Sequence, residues 1–532
     1  MTRPGKPSVV DLSYATYQGV LDRQSGVTNF LGVRYAANPT GRNRFKAPQP
    51  PPRSRRNDVQ PGDRVPASCL QAGHGQSSSS PFADIVSRDL DARAGGVPAP
   101  SEDCLFLNVH VPGAASTKGK KLPVVVWFHG GGYASGNGSM YDGSQLVRES
   151  NNQIIAVVVQ YRLGLFGFLA GDQVERNGSP NAGLLDQEFA LKWVQNNIAK
   201  FGGDKNTVTI WGQSAGAGSV LQHIVAHKGK TSPPLFQRAI ASSPYLPSQY
   251  KYNDPIPKAL YADVVKRARC ERARDSLACL RSADVSVLQA ANVEISNSGL
   301  HGLYVFAPVI DGKMITQSVT KSLKEGRTNG AALLSVANAN EGLLFVDQNS
   351  TLSASDYTKA LMPDLCAEEA NTVAAAYEYL GAEVLKQAAI VADSHIVCPA
   401  IWATASFSKG KTAYKGKFTI APAMHLQDLS YYFNVPGGIL PGIPNFDGNN
   451  FRATFSQSFL SFAIAQDPNV GVYDPQSRSS GIDWPKFRVG GEIEETFGQS
   501  GPATADIKAV NVDKGQLERC RMWEGLTATT RQ

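Results

Sequence analysis

The tightest constraint in this chain is Val208-Thr-Ile-Trp-Gly-Gln-Ser-Ala-Gly216, which runs on into Ala-Gly-Ser-Val-Leu221. A β-branched apolar run leads directly into a turn of small residues and then into a helical pattern. Gly212 and Gly216 flank a reversal so tight that a Cβ at either position would collide with neighbouring backbone. Such a turn lifts the Ser214 hydroxyl above a strand end, open to a base and a substrate. It predicts a nucleophile, and a nucleophile predicts covalent acyl transfer. Taken alone, the same five residues suit a serine that caps a helix N-terminus. The rest of the chain has to decide.

The surrounding pattern is α/β. Val124–Phe128, Ile154–Gln160 and Val208–Trp211 read as buried strands, and Gln187–Asn197 reads as an amphipathic helix between two of them. This alternation implies a large, mostly parallel sheet with helices on both faces. A length of 532 residues suggests two to four domains. Yet no internal repeat and no interdomain linker is visible, so residues 1–532 read as one domain with elaborated loops. Residues 71–101 turn polar and glycine-rich. Within them Phe82, Ile85, Val86 and Leu90 have helical spacing, which suits a small helix in a flap or a piece that docks the loop onto the body.

Bulk composition excludes several classes. Hydrophobic residues at 42% and charged residues at 18% rule out disorder. The net charge of +7 is spread over 52 basic and 45 acidic residues, with no basic run longer than Arg53–Arg56, so nucleic-acid binding is not expected. No uninterrupted apolar stretch nears the ~18 residues of a membrane span. Met1–Pro7 lacks the apolar core of a signal peptide, which leaves an intracellular chain or one whose leader has been removed. Seven cysteines favour the second option and a secreted protein. None forms a Cys-x-x-Cys pair or a zinc-spaced cluster, so no metal is expected. Cys69 and Cys104 bracket the polar segment and Cys270 and Cys279 a short one, placements that suit bridges closing surface loops. Asn137, Asn177 and Asn349 are sequons, the first too near the expected site to be a good acceptor.

A serine nucleophile needs a base, a group that orients the base, and donors for an oxyanion. Phe128-His-Gly-Gly-Gly-Tyr133 follows a strand, where an oxyanion loop belongs; the alternative is a plain glycine-rich turn. In this architecture the acid and then the histidine follow the serine in chain order. That order removes His74, His110 and His129. His223 and His227 lie one turn apart without a third ligand nearby, and His301 leaves little chain for intervening strands. His395 falls inside a helix-like run, Ala388–Cys398. His425 follows the strand-like Lys417–Ala421 and opens a new segment, so it is the favoured base. Ala331–Val336 reads as a strand, and Glu341 lies in the loop leaving its end, ahead of a glycine hinge.

These residues resemble the type-B carboxylesterase and cholinesterase family, and most closely its fungal secreted esterase and lipase branch. The resemblance covers nearly the whole chain. It is carried by Phe30–Ala36 with Arg44-Phe45, by Glu102–Val109, and by Phe201–Asp204 through Ser219. Further on it is carried by Asn340-Glu-Gly342, His425-x-x-Asp428 and Asp467-Pro-Asn469. It implies an α/β-hydrolase fold and a triad of Ser214, Glu341 and His425, with oxyanion N–H groups from Gly131, Gly132 and Ala215. Arg44 and Arg162 are expected to pair with Glu102. Cys69–Cys104, closing the flap over 69–104, and Cys270–Cys279 match the family's bridges, and Cys398–Cys520 resembles its third, leaving Cys366 free.

Two departures stand out. The family usually has glutamate before the nucleophile, where this chain has Gln213, and loss of that carboxylate disfavours a charged imidazole nearby. Cholinesterases hold a quaternary ammonium on a tryptophan of the first disulfide loop, and none of the six tryptophans lies between Cys69 and Cys104. Choline esters are therefore not expected substrates. The implied activity is hydrolysis of a carboxylic ester, of short-to-medium acyl chain or of a natural product, without a cofactor. An alternative passes the acyl group to an alcohol or amine, or forms a lactone. A remoter one is a catalytically silent binding protein, since the family includes such members.

Overall fold

The computed structural model describes residues 8–54, 58–76, 98–113, 121–435, 437–471 and 482–532. Its frame is an 11-stranded sheet. From one edge the order is Thr504–Asn511, Ile493–Gly501, Thr412–Phe418, Ala332–Asn338, Arg238–Ser242, Gly203–Gln213, Leu122–Phe128, Ile155–Val159, Phe106–Pro112, Val27–Arg34 and Val20–Asp22. The seven strands from Ile493–Gly501 to Ile155–Val159 are parallel, and antiparallel strands close both edges. Val9–Asp11, Thr16–Gln18 and Val59–Pro61 form a separate small sheet. With helices on both faces, this is the α/β-hydrolase arrangement expected.

The reason lies in the central strands. In Leu122–Phe128 every side chain but Pro123 is buried. Val124, Val126 and Phe128 enter the core on one face, while Val125 and Trp127 enter the core on the other. A strand apolar on both sides is stable only when both sides are covered, and each such side chain contributes about 1.5–3 kcal/mol on burial. The helix Ala182–Asn197 lies where the amphipathic pattern predicted it, one turn longer at its start.

Three expectations change. The strand read at Lys417–Ala421 is Thr412–Phe418. Lys415 and Lys417 hid it, because Lys415 is buried only by virtue of an ion pair with Glu494 at 2.9 Å. Arg44 does clamp Glu102, with Nε–Oε1 2.6 Å and Nη2–Oε2 2.7 Å, but Arg162 pairs with Asp186 instead. Asp186 sits on Ala182–Asn197, which passes directly beneath Arg162, and is fully buried there. The apolar run Glu383–Ser408 is long enough to cross a membrane, yet 83% of its most apolar window is buried in the protein. It is a core helix whose polar interruptions, including Gln387 and His395, broke the run in the sequence.

The disulfides Cys69–Cys104, Cys270–Cys279 and Cys398–Cys520 form, and Cys366 is free and exposed. The flap helix expected around Phe82–Leu90 lies outside the described residues. Asn137 is buried and caps the turn Gly138–Met140, accepting from Ser139 N–H.

Candidate active site

Ser214 follows the last residue of Gly203–Gln213 and precedes the helix Ala215–Gly229. Its φ of 57° and ψ of −127° put a non-glycine residue in a conformation that costs roughly 1–3 kcal/mol. Surrounding hydrogen bonds hold it there. Ser214 N–H donates to Ser242 O at 3.0 Å, and Ser214 O accepts from Gly218 and Tyr245 N–H. The two glycines have the predicted cause. A Cβ on Gly212 would run into the Gly216 backbone, and one on Gly216 would run into Phe128 O and His129 O. The turn is therefore pressed onto the end of the neighbouring strand, where the glycine loop begins.

In that loop Gly131 and Gly132 have φ of 105° and 62°. A Cβ on Gly132 would overlap the Tyr304 ring, so the ring lies flat against the loop. Gly130 sits over the turn, its Cβ position 3.0 Å from Ser214 Cβ. Among the described residues, the N–H groups of Gly131, Gly132 and Ala215 find no backbone acceptor. His129 turns away. Its Nδ1 meets Gly130 O at 2.9 Å, its ring stacks on Tyr161, and burial lowers its pKa to about 4.

His425 comes seven residues after Thr412–Phe418 and Glu341 three after Ala332–Asn338, both at the carboxyl ends of parallel strands. His425 Nδ1 and Glu341 Oε2 are 2.5 Å apart and both side chains are buried. Glu341 Oε1 accepts from Asn338 N–H at 2.6 Å. The other ring nitrogen of His425, Nε2, lies 3.4 Å from Gln213 Nε2, and the Phe345 ring packs at 4.9 Å. The imidazole is thus clamped on one side by the carboxylate and faces the residue beside Ser214 on the other, with no hydrogen bond from Ser214 Oγ.

Of the expected site residues the structure sets Glu341 against His425 and the glycine loop against the Ser214 turn, and sequence reasoning missed what stands behind them. Asn338 Nδ2 ties Met424 O at 2.7 Å to Asp428 Oδ1 at 3.2 Å, fixing the strand before Glu341 to the loop of His425. Asp428, already noted in His425-x-x-Asp428, is fully buried; burial first, then the nearby Glu341, raises its pKa to about 6. Tyr304 gave no signal in the sequence. Beyond its ring lies an apolar cavity of about 180 Å³, with Leu303, Phe306 and His395 among its walls. Burial pushes the His395 pKa down to about 3. Among the described residues no cluster of His, Cys, Asp and Glu is arranged to hold a metal ion.

The sequence profile of the carboxylesterase family matches residues 6–499. The chain belongs to the carboxylesterase family. A secreted lipase of Arthroderma benhamiae is 33% identical over 447 residues, covering 80% of this chain and 83% of that protein. The crystal structure of Aspergillus niger EstA superposes with a TM-score of 0.84 at 29% identity, covering 99% of each chain. Mouse neuroligin-2 is 30% identical over 558 residues, covering 90% of this chain and 64% of that protein. As a member of the carboxylesterase family the chain is a carboxylic-ester hydrolase.

Proposed function

We propose that this carboxylesterase works through an acyl-enzyme on Ser214, with His425 as base and Glu341 as the group that orients it. The contact of His425 Nδ1 with Glu341 Oε2 carries the reading. It joins residues 84 apart in sequence and leaves Nε2 turned to the serine turn. Ser214 Oγ attacks the ester carbonyl as His425 takes its proton, and the alkoxy oxygen then leaves with that proton. Water, deprotonated by the same imidazole, releases the acid. Gly131, Gly132 and Ala215 N–H receive the oxyanion; losing one such donor typically costs ~2.7–4 kcal/mol.

The apolar cavity beyond Tyr304 suits a short-to-medium acyl chain. The presence of all three side chains argues against a silent binding protein. Three disulfides and the secreted lipase relative support an extracellular location. We treat residues 1–532 as one domain, because both faces of a single sheet carry the two cores.

A fluorophosphonate probe tests the nucleophile. Wild type should be labelled and Ser214→Ala should not; labelling that survives the substitution refutes the assignment. Product partition between water and added alcohol, on p-nitrophenyl esters of graded length, separates hydrolysis from acyl transfer.

A further inference from the structure

Behind the loop that carries Glu341 lies a second cavity of about 440 Å³, and Ser214, Glu341 and His425 are absent from its walls. Asn340 and Gly342, the chain neighbours of Glu341, form part of it. The strand Thr412–Phe418 contributes Lys415 and Lys417, which point to one face by strand alternation. The helices Glu383–Ala392 and Lys514–Thr530 complete the enclosure.

Of the six charged side chains in this cavity, four form two ion pairs, Asp513 caps a helix, and Lys417 is left over. Lys415 Nζ meets Glu494 Oε2 at 2.9 Å and Arg519 Nε meets Asp393 Oδ2 at 2.8 Å. Asp513 caps the C-terminal helix, accepting from Gln516 N–H at 2.8 Å. Lys417 is half-buried and, among the described residues, has no carboxylate within ion-pairing distance. A partly desolvated ammonium without a counter-ion favours an anionic partner. Part of the wall is apolar, with Leu343, Val397 and Ile401, and Tyr379 and Leu385 are exposed at 66% and 44%. Apolar side chains beside an ammonium that no carboxylate holds are complementary to an alkyl chain that ends on a carboxylate.

We propose that this cavity is a second ligand site, which takes an amphipathic carboxylate such as a medium-chain fatty acid with its headgroup on Lys417 Nζ. The site is placed to act on the acid of the triad. Gly342 packs so closely on Ala388 O that a Cβ there would overlap it, and Ala388 and Ala389 line the cavity. A ligand that displaces Glu383–Ala392 therefore displaces the loop holding Glu341. This coupling, unlike the binding itself, rests on the assignment of Glu341 as the orienting acid. Acids of this kind are also what an ester hydrolase releases, whether from its own turnover or from other sources.

Calorimetric titration of the full chain with decanoate and with 1-decanol tests the site without turnover. Lys417→Met should weaken one decanoate site by about tenfold or more, the effect of losing a charge-assisted contact. Decanol binding should be unchanged, and Lys417→Arg should retain decanoate. Ala389→Trp, which fills the cavity, should remove the same site; should it fail to fold, Lys417→Met carries the test. Decanoate affinity unaltered by Lys417→Met overturns the site, and equal weakening of decanol overturns the carboxylate class. For the coupling, decanoate should lower kcat on p-nitrophenyl acetate in wild type and not in Lys417→Met. Purely competitive inhibition in both overturns the coupling. Failure of the catalytic assignment is read separately, from fluorophosphonate labelling of Ser214→Ala.

Discussion

Gln213 Nε2 stands 3.4 Å from Nε2 of His425, with the Gln213 side chain fully buried and its Oε1 without a hydrogen-bond partner among the described residues. A neutral amide here neither attracts nor repels a proton on the ring as a charge would. A carboxylate at the same distance favours the imidazolium. Gln213→Glu should therefore move the acidic limb of kcat/KM to higher pH. A pH profile of wild type and variant on one ester decides this, and superimposable acidic limbs would refute it.

Glu341 accepts from Asn338 N–H with one oxygen and meets His425 Nδ1 with the other. In Glu341→Gln the first contact survives, but an amide NH₂ facing Nδ1 selects the tautomer that cannot take the serine proton. The expected loss in kcat is about 10³–10⁴-fold with KM little changed, as in other serine triads. Steady-state kinetics on a soluble ester would show it; a loss below tenfold would remove Glu341 from the mechanism.

The three disulfides close loops of very different size, spanning 9, 35 and 122 residues. In the chain-entropy account, the longest should contribute about 5 kcal/mol and the shortest about 2.6 kcal/mol. Denaturant unfolding of Cys398→Ser/Cys520→Ser and of Cys270→Ser/Cys279→Ser should rank them so. The reverse order would point to enthalpic or denatured-state effects instead.

Burial depresses the pKa of His110, His129 and His223 to about 4. Such a histidine contributes stability that is complete above its unfolded value near 6.5 and is lost as pH falls toward the folded value. By pH 5 each site should cost about 2 kcal/mol. Thermal unfolding between pH 7 and 4.5 should show a steep decline in Tm, shallower in His223→Gln, which keeps a polar group near Gln187 Oε1. An equal slope in both proteins would contradict this.

What the sequence determined unaided was whatever short-range sterics dictate. The glycines around Ser214 and in the 130–132 loop are required by backbone approach, so their pattern announces a turn and a loop wherever the rest of the chain goes. Glu341 and His425 were legible because each follows a strand in the right chain order. Tertiary structure alone decided which side chains meet across long separations. Arg162 takes Asp186 because a helix passes beneath it, and Tyr304 covers Gly132 from 172 residues away. Lys415 takes Glu494, while its strand neighbour Lys417 has no counter-ion among the described residues. Partner choice inside a packed interior depends on the relative placement of whole elements, and no local window of residues encodes that placement.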